Sequence, residues 1–192
     1  MGVKKRDNLS ISGWIRRFSH LIRPAGSVLD LAAGSGRHSA WCLDLGHRVT
    51  AVDRRTDELE TLRNTLSEDE RQRLEIVVAD LEDGSPWPLA NRCFDAVVVV
   101  NYLHRPLFPG LLAALAPGGV FLYDTFAAGN EAFGKPSRPD FLLQPGELLE
   151  RVGGASQIVA YEHGRIDGAL GPAVKQRIAA IGGQEHAALT SS

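Results

Sequence analysis

The fold of this 192-residue chain is decided by the stretch Val28-Leu29-Asp30-Leu31-Ala32-Ala33-Gly34-Ser35-Gly36. Residues 27–31 predict a short buried strand, and residues 37–45 predict a helix that ends at Gly46. Gly34 and Gly36 let the backbone turn sharply and approach a ligand closely. The helix start adds free amide groups at the same place. The stretch therefore predicts a strand, a turn and a helix, with a ligand site at the turn.

The segments that follow repeat this alternation. Further strands are predicted at 48–53, 74–80, 94–100 and 120–126, helices at 56–70, 107–115 and 146–152, a turn at 117–119, a long loop at 127–144, and two antiparallel candidate strands near 156–163 and 173–181. The run Phe94–Val100 is apolar on both faces, which is typical of the centre of a parallel sheet. The pattern predicts an α/β fold: a doubly wound, Rossmann-like, mostly parallel sheet with helices on both faces.

Composition limits the class of protein. The chain is 44% hydrophobic with a formal net charge of −2, and no apolar run approaches the ~20 residues of a membrane span. Its length favours one domain. We expect a basic extension with a capping helix at 1–26 (the helix itself at 14–22), the α/β domain at 27–183 and a frayed tail at 184–192. Cys42 and Cys93 are expected to be reduced thiols, which favours a cytoplasmic location.

The N-terminal segment is basic. Residues 1–23 carry one acidic residue, Asp7, against Lys4, Lys5, Arg6, Arg16, Arg17 and Arg23. One interpretation is a solvated extension that leads into the capping helix. The other is an electrostatic site for an anionic substrate or a nucleic acid.

Three predicted strands end in aspartate, namely Asp30, Asp53 and Asp80. A carboxylate at the end of the second strand is placed to accept hydrogen bonds from ribose hydroxyls. A dinucleotide site is one alternative, because the spacing from Gly34 to Ser39 approaches the G-x-G-x-x-G/A pattern. Asp30 would repel a pyrophosphate, however, and suits a cationic group. Together the three carboxylates predict a nucleoside pocket with an ammonium-binding corner.

Residues 27–126 resemble the class I S-adenosylmethionine-dependent methyltransferases. Val28–Gly36 match the D-x-G-x-G-x-G motif of that family, with Ala32 at the place of the first glycine. Phe94-Asp95-Ala96-Val97-Val98 resembles its fourth strand, and Leu115-Ala116-Pro117-Gly118-Gly119 resembles the turn before the fifth. Within the family, the Gly-Ser-Gly-Arg-His turn is loosely similar to tellurite-resistance-type enzymes.

The resemblance implies a seven-stranded sheet, whose seventh strand runs antiparallel between the fifth and sixth, and S-adenosyl-L-methionine as cofactor. It places Asp30 and the turn Ala32–Gly36, with Gly34, along the methionine moiety, where Arg37 and His38 are candidates for its carboxylate. Asp53 would bind the ribose beside Arg54, and Asp80 with Leu81 would bind adenine. Asn101, directly after the fourth strand, is a further candidate cofactor contact.

Residues beyond the fourth and fifth strands are the substrate candidates. Asn101 and His104 are the candidate catalytic residues, with His104 as a general base. The substrate-binding candidates are Tyr102, Arg105, Phe133, Lys135 and Arg138. Tyr102 has packing over the cofactor as its alternative, and Arg105 has a surface ion pair as its alternative. Methyl transfer needs positioning more than covalent help, and no metal-ligand spacing occurs among the histidines and cysteines.

Four functions stay open at this point. The leading hypothesis is a methyltransferase acting on a small molecule, because the chain has little room for a separate recognition domain. The alternatives are an RNA or protein methyltransferase that uses the basic N-terminus, a non-catalytic partner subunit, and a nicotinamide enzyme. Asp30 and the absence of a Tyr-x-x-x-Lys pair disfavour the last.

Overall fold

Seven strands form one sheet in the computed structural model, which describes residues 11–154, 156–168 and 171–182. They are β1 (Ser27–Leu31), β2 (Arg48–Asp53), β3 (Leu74–Val78), β4 (Phe94–Val100), β5 (Leu115–Phe126), β6 (Ser156–Gly168) and β7 (Gly171–Gly182). Their order is β3-β2-β1-β4-β5-β7-β6, with β1 to β5 parallel and β7 antiparallel to both β5 and β6. The predicted doubly wound sheet, its antiparallel strand and the central position of β4 are confirmed.

Helices cover both faces of the sheet. They are α1 (Gly13–Phe18), α2 (Arg37–Asp44), α3 (Asp57–Thr65), α4 (Glu68–Gln72), α5 (Phe108–Ala113) and α6 (Glu147–Gly153). One core cluster holds Trp14, Leu43 and Leu59 from the first three helices. The other holds Phe108 and Leu148 from α5 and α6. Burial of apolar side chains on each face fixes the helices to the sheet.

The predicted helix 56–70 is in fact two helices. Backbone at Leu66 is extended, and Ser67 begins α4 through a capping box with Glu70. Each residue satisfies a free amide of the other, so a new helix start is favoured at this point.

The predicted turn at 117–119 lies inside β5, which begins at Leu115. The pairing with β4 shifts from Phe94↔Leu115 to Ala96↔Val120. Gly118 has a φ of +72°, and a Cβ on Gly119 would lie 2.9 Å from the carbonyl oxygen of Phe94. Pro117–Gly119 is therefore an irregularity within the strand that needs its glycines.

The predicted capping helix is confirmed in part. It is α1 followed by a single 3-10 turn, Ser19–Leu21, and the indole Nε1 of Trp14 donates to the carbonyl oxygen of Ile178 at 3.0 Å. The helix is thereby docked on β7. The basic residues 4–6 and the predicted tail 184–192 lie outside the described residues. Within the described ranges, no helix is long and apolar enough to cross a membrane.

Two segments rise beyond the carboxyl end of β5. The loop 127–144 is confirmed as a long connection and holds two 3-10 turns, Asn130–Ala132 and Pro139–Phe141. The pairing of β6 with β7 continues to Gly168↔Gly171, past the last β5 pair, Phe126↔Lys175. We call this projecting part, residues 164–168 and 171–174, the hairpin arm.

Candidate functional site

The turn after β1 holds three residues with positive φ: Ala32 at 52°, Gly34 at 55° and Gly36 at 73°. A Cβ on Gly34 would meet nothing within 4 Å, whereas one on Gly36 would lie 2.7 Å from the side chains of Leu59 and Leu62. Gly34 therefore leaves open space for a ligand, and Gly36 lets the turn pack closely against α3. We call Ala32–Gly36 the glycine turn.

Ala32 takes a backbone conformation that favours glycine. A left-handed conformation costs an alanine about 1–2 kcal/mol, and Ala32 adopts it at a φ of 52°. The departure from the family motif therefore leaves the shape of the turn in place, at a local cost in strain.

Asp30 lies beneath the turn and is 2% exposed. The hydroxyl of Ser39, in α2, donates to its Oδ2 at 2.6 Å. Burial raises the pKa of the Asp30 carboxyl to about 6, although the hydrogen bond from Ser39 acts in the opposite direction. The carboxyl thus joins β1 to the first turns of α2.

Two more aspartates stand at this edge of the sheet. Asp53, at the end of β2, accepts from the backbone amide of Gly34 at 2.9 Å and from that of Arg55 at 3.0 Å. Asp80, two residues beyond β3, accepts from the amide of Glu82 at 3.0 Å. The structure therefore brings Asp53 against the glycine turn. The neighbours Arg54 and Leu81 are exposed and half-buried, respectively.

Tyr102 lies on the β3 side of the site. Its hydroxyl oxygen is buried and has no hydrogen-bond partner among the described residues. Burial raises the pKa of this phenol, and the nearby carboxylates of Glu82 and Asp80 raise it further. Tyr102 was predicted to bind substrate, but its surroundings are those of the candidate cofactor residues, which favours the alternative interpretation.

Arg37 provides a second unsatisfied donor. Its Nε is buried and forms no hydrogen bond within the described residues. Its charge lowers the pKa values of His38 and Lys175, so the guanidinium lies near both. An anionic group beside the glycine turn would satisfy this donor.

A group of polar side chains meets at the carboxyl ends of β4 and β5. Asp124, 2% exposed, accepts from the hydroxyl of Ser12 at 2.5 Å and from Nζ of Lys175 at 3.0 Å. Nζ also donates to Oδ1 of Asn101 at 2.6 Å, and the backbone amide of Ser12 donates to Nε2 of His38 at 3.2 Å. We call these five residues the Asp124 cluster.

Burial sets the protonation of the cluster. It lowers the pKa of His38 to about 3, so the ring is neutral near pH 7 and Nε2 accepts the amide of Ser12. Burial also lowers the pKa of the Lys175 ammonium, against the opposing effect of Asp124. The ammonium lies 4.7 Å from the centre of the Phe126 ring, a cation–π contact.

Sequence reasoning missed Ser12, Asp124 and Lys175. One signal was available for Asp124, because it stands near the carboxyl end of a strand, as Asp30, Asp53 and Asp80 do. No pattern marks Lys175, which lies within an antiparallel strand, 8% exposed. Lys175 reaches Asp124 because β7 pairs with β5.

The structure favours the ion-pair interpretation of Arg105. Its Nε and Nη2 donate to the carboxylate of Glu147 at 2.7 and 2.9 Å, and its other donors reach the carbonyl oxygens of Asp140 and Leu142. Burial alone would raise the pKa of Glu147, but the hydrogen bonds from Arg105, the backbone amide of Gln144 and Arg151 bring it to about 2. Arg105 therefore holds the end of the 127–144 loop to α6 and is not free for a substrate.

The other candidates after β4 and β5 are less enclosed. His104 is half-buried, three residues beyond Asn101, and its ring forms no hydrogen bond within the described residues. Phe133 is 41% exposed and lies under the guanidinium of Arg165, in the hairpin arm, at 5.3 Å. Arg138 pairs with Asp140 at 2.9 Å, and Lys135 is exposed.

A buried asparagine ties this loop to the hairpin arm. Asn130, 2% exposed, accepts from the amide of Val174 at 3.1 Å and donates to the carbonyl oxygen of Pro136 at 2.9 Å. The loop and the arm thus form one wall at the edge of the sheet that carries the glycine turn.

A cavity of about 350 Å³ lies at the opposite edge of the sheet, beside the amino ends of β1 and β2. Two of its arginines are already engaged: Arg73 donates to the carbonyl oxygens of Leu43 and His47, and Arg92 to Glu75. It has no contact with the site above. Across the described part of the chain, no group of three or more His, Cys, Asp or Glu side chains could hold a metal ion.

Residues 28–119 match the family model for a methyltransferase domain. A curated relative, a demethylmenaquinone methyltransferase from Clavibacter sepedonicus, is 38% identical over 97 residues, which are 48% of this chain and 38% of the relative. This chain thus aligns with well under half the length of that protein.

Among solved structures, TehB from Haemophilus influenzae has a TM-score of 0.73 at 19% identity, covering 93% of this chain and 65% of that one. The glycopeptide N-methyltransferase MtfA, complexed with S-adenosyl-L-homocysteine, has a TM-score of 0.63 at 24% identity, covering 94% of both chains. These likenesses show a shared fold.

Proposed function

We propose that the chain transfers a methyl group from S-adenosylmethionine to a small-molecule acceptor, because residues 28–119 match the methyltransferase domain model and the fold is shared with the methyltransferase MtfA. One observation carries the proposal: the open glycine turn is in direct contact with the carboxylate of Asp53. The turn lies beside the β1–β4 boundary, from which the strand order proceeds in both directions and where such sheets bind ligands.

The residues at this edge fit the cofactor. Asp53 and Asp80 would meet the ribose and the adenine, and the unpartnered hydroxyl of Tyr102 beside Asp80 would gain a partner there. The unpartnered Nε of Arg37 would gain one in the carboxylate of the methionine moiety. Gly34 leaves room for close approach to the turn.

The chemistry that S-adenosylmethionine supplies when bound is an electrophilic methyl carbon on a sulfonium, open to in-line displacement by an acceptor atom. The protein residues have to hold the two reactants in line, which contributes roughly 7–11 kcal/mol of barrier lowering. Asn101, at the end of β4, is the candidate to orient the acceptor. His104 is the candidate base for an acceptor that loses a proton.

Two observations support a small acceptor. The loop 127–144 and the hairpin arm rise over the same edge of the sheet, and a wall of this kind suits a bounded pocket. The basic residues of the described N-terminal segment are engaged within the chain: Arg17 pairs with Glu162 at 3.0 Å and Arg23 with Asp95 at 2.6 Å. They are poor candidates for a nucleic-acid surface. We place the enzyme in the cytoplasm, where such acceptors and the cofactor occur.

Isothermal calorimetry with S-adenosylmethionine and S-adenosylhomocysteine tests the cofactor assignment, with NADH as the matched negative ligand. We expect saturable binding of the first two and none of NADH. Absence of binding by both sulfur nucleosides would refute the proposal. Candidate metabolites incubated with protein and S-adenosylmethionine, read by a mass gain of one methyl group, then identify the acceptor.

A further inference from the structure

Lys175 determines which way the side chain of Asn101 faces. Its ammonium group carries donors only, so the Asn101 atom at 2.6 Å must be the amide oxygen. The amide NH₂ is then turned away from Lys175. This assignment follows from the chemistry of the ammonium and not from the similar shapes of the amide O and NH₂.

The NH₂ group of Asn101 is free in the part of the chain that the structure describes. No described residue accepts a hydrogen bond from it, and Asn101 is exposed. The residue has a φ of +57°, and its backbone amide donates to the carbonyl oxygen of Asp124 at 2.9 Å. Asp124 therefore holds the backbone of Asn101, and Lys175 holds its side chain. The two NH₂ hydrogens remain available at the carboxyl end of β4.

Lys175 is itself held in place. Asp124 accepts one of its hydrogens at 3.0 Å, the Phe126 ring lies beneath it, and the side chain is 9% exposed. A buried ammonium with these partners has little freedom to turn away from Asn101.

We propose that Lys175 is a positioning residue that presents the Asn101 NH₂ to the methyl acceptor, so that the acceptor is recognised through an anionic oxygen. This inference rests on the proposed function. An oxygen with free lone pairs can accept the amide hydrogens of Asn101. An ammonium or N–H group of the acceptor would instead place a second donor against them. The ammonium of Lys175, which contacts Oδ1 of Asn101 at 2.6 Å, places a positive charge beside this donor and favours an anionic acceptor.

The test uses ¹⁵N-labelled full chain saturated with S-adenosylhomocysteine, and benzoate and benzylamine as probes of equal size and opposite charge. The side-chain NH₂ signals of Asn101 are assigned by their loss in Asn101→Asp. We expect benzoate to shift these signals saturably and benzylamine to leave them unmoved. Shifts by benzylamine of equal or larger size, or no shift by benzoate, would overturn the proposal.

Variants of Lys175 and Arg177 distinguish a positioning role of Lys175 from a general effect of its positive charge. Lys175→Met should weaken benzoate binding at least tenfold, and Lys175→Arg, which keeps a donor, should restore it to within about threefold of the wild type. Arg177→Met removes a cation beside Asp124 without touching Asn101, and should leave the Asn101 signals in place. Equal benzoate affinity in Lys175→Met and the wild type, or equal losses in Lys175→Met and Lys175→Arg, would contradict the positioning role.

Two further outcomes are distinguishable. Should Lys175→Met not fold, Asn101→Asp keeps the contact to Lys175 and removes the donor, so the benzoate response read at the backbone amide of Tyr102 should disappear; its persistence refutes the proposal. If S-adenosylhomocysteine alone shifts the NH₂ signals and benzoate then has no effect, the partner of Asn101 is the cofactor and the acceptor assignment fails. Absence of any S-adenosylhomocysteine binding refutes the proposed function itself.

Discussion

The glycine turn and the Asp124 cluster lie at the same edge of one sheet and are built in opposite ways. The turn consists of five consecutive residues, and their backbone dihedral angles determine its shape. The cluster joins residues far apart in sequence: Ser12 lies 112 positions from Asp124, and Asn101 lies 74 positions from Lys175. The arrangement of the cluster is determined by hydrogen bonds and ion pairs between buried side chains.

The two regions should therefore lose stability under different changes. A turn that depends on dihedral angles is sensitive to an added Cβ and largely insensitive to pH. A buried cluster of ionisable groups is sensitive to pH, because burial shifts their pKa values away from those of the unfolded chain. Substitutions in the two regions should therefore differ in their pH dependence.

His38→Gln should remove a pH dependence that belongs to the cluster. The pKa of His38 is about 3 in the folded chain and ordinarily 6.5, so the unfolded chain binds a proton that the folded chain does not. Stability is therefore lost as pH falls from 6.5 towards 3, by about 3 kcal/mol on reaching about pH 4. Glutamine retains an acceptor for Ser12 and cannot titrate. Urea unfolding at several pH values should show the wild type losing this stability relative to the variant.

Asp30→Asn is the control for that experiment and has the opposite sign. The folded pKa of Asp30, about 6, lies above its ordinary 3.8. Its contribution to stability therefore grows as pH falls through about 6, and the Asn variant should lack this gain. Parallel pH profiles for the wild type and His38→Gln would contradict the buried, neutral state of His38.

Gly36→Ala should lower the free energy of unfolding by roughly 2–3 kcal/mol, since it adds left-handed strain to a clash with α3. The added Cβ would lie 2.7 Å from Leu59 and Leu62. Gly34→Ala is the matched control: its Cβ meets open space, so only strain of about 1 kcal/mol is expected. Equal losses in urea unfolding would show that packing against α3 is not what Gly36 provides.

Asp53→Ala should weaken S-adenosylhomocysteine binding by about 1–3 kcal/mol, because the ribose hydroxyls lose their acceptor. Its effect on unfolding should be small, since the carboxylate is partly exposed and, among the described residues, accepts hydrogen bonds from the backbone amides of Gly34 and Arg55 alone. Calorimetry measures the first, with Asp167→Ala in the hairpin arm as a control. Unchanged affinity in folded Asp53→Ala would exclude Asp53 as the ribose ligand.

Ala32→Gly should raise the free energy of unfolding by about 0.5–1 kcal/mol. Relief of left-handed strain outweighs the entropy that glycine loses on folding. Ala33→Gly, at a neighbouring residue without a positive φ, should instead lower it by a similar amount. The two urea midpoints, compared with that of the wild type, should therefore move in opposite directions.

Much of the fold was predictable because it depends on local pattern. The apolar run Phe94–Val100 predicted a strand at the centre of the sheet, and the resemblance predicted an antiparallel strand between the fifth and sixth. Both predictions are confirmed, and residues 28–119 match the methyltransferase domain model that the resemblance predicted. The boundaries were harder: the capping box at Ser67 divided one predicted helix, and the irregularity at Pro117–Gly119 placed a predicted turn inside β5.

Only the cofactor side of the candidate site was predictable from the sequence. Asp53 and the glycine turn could be paired because parallel strands bring their carboxyl ends to a common edge. The two interpretations of Arg105 could not be separated from the sequence, since its partners Glu147 and Asp140 approach only when the 127–144 loop folds back on α6.

The sequence alone determined the order of elements, the glycine turn and the aspartates at the strand ends, because each follows from consecutive residues and from the alternation of strands and helices. The contacts among Ser12, Asn101, Asp124 and Lys175 arise only when the chain folds. That meeting depends on the pairing of β7 with β5 and on the docking of α1 over β7. Burial at this junction then gives an ordinary lysine and an ordinary asparagine fixed partners and fixed orientations.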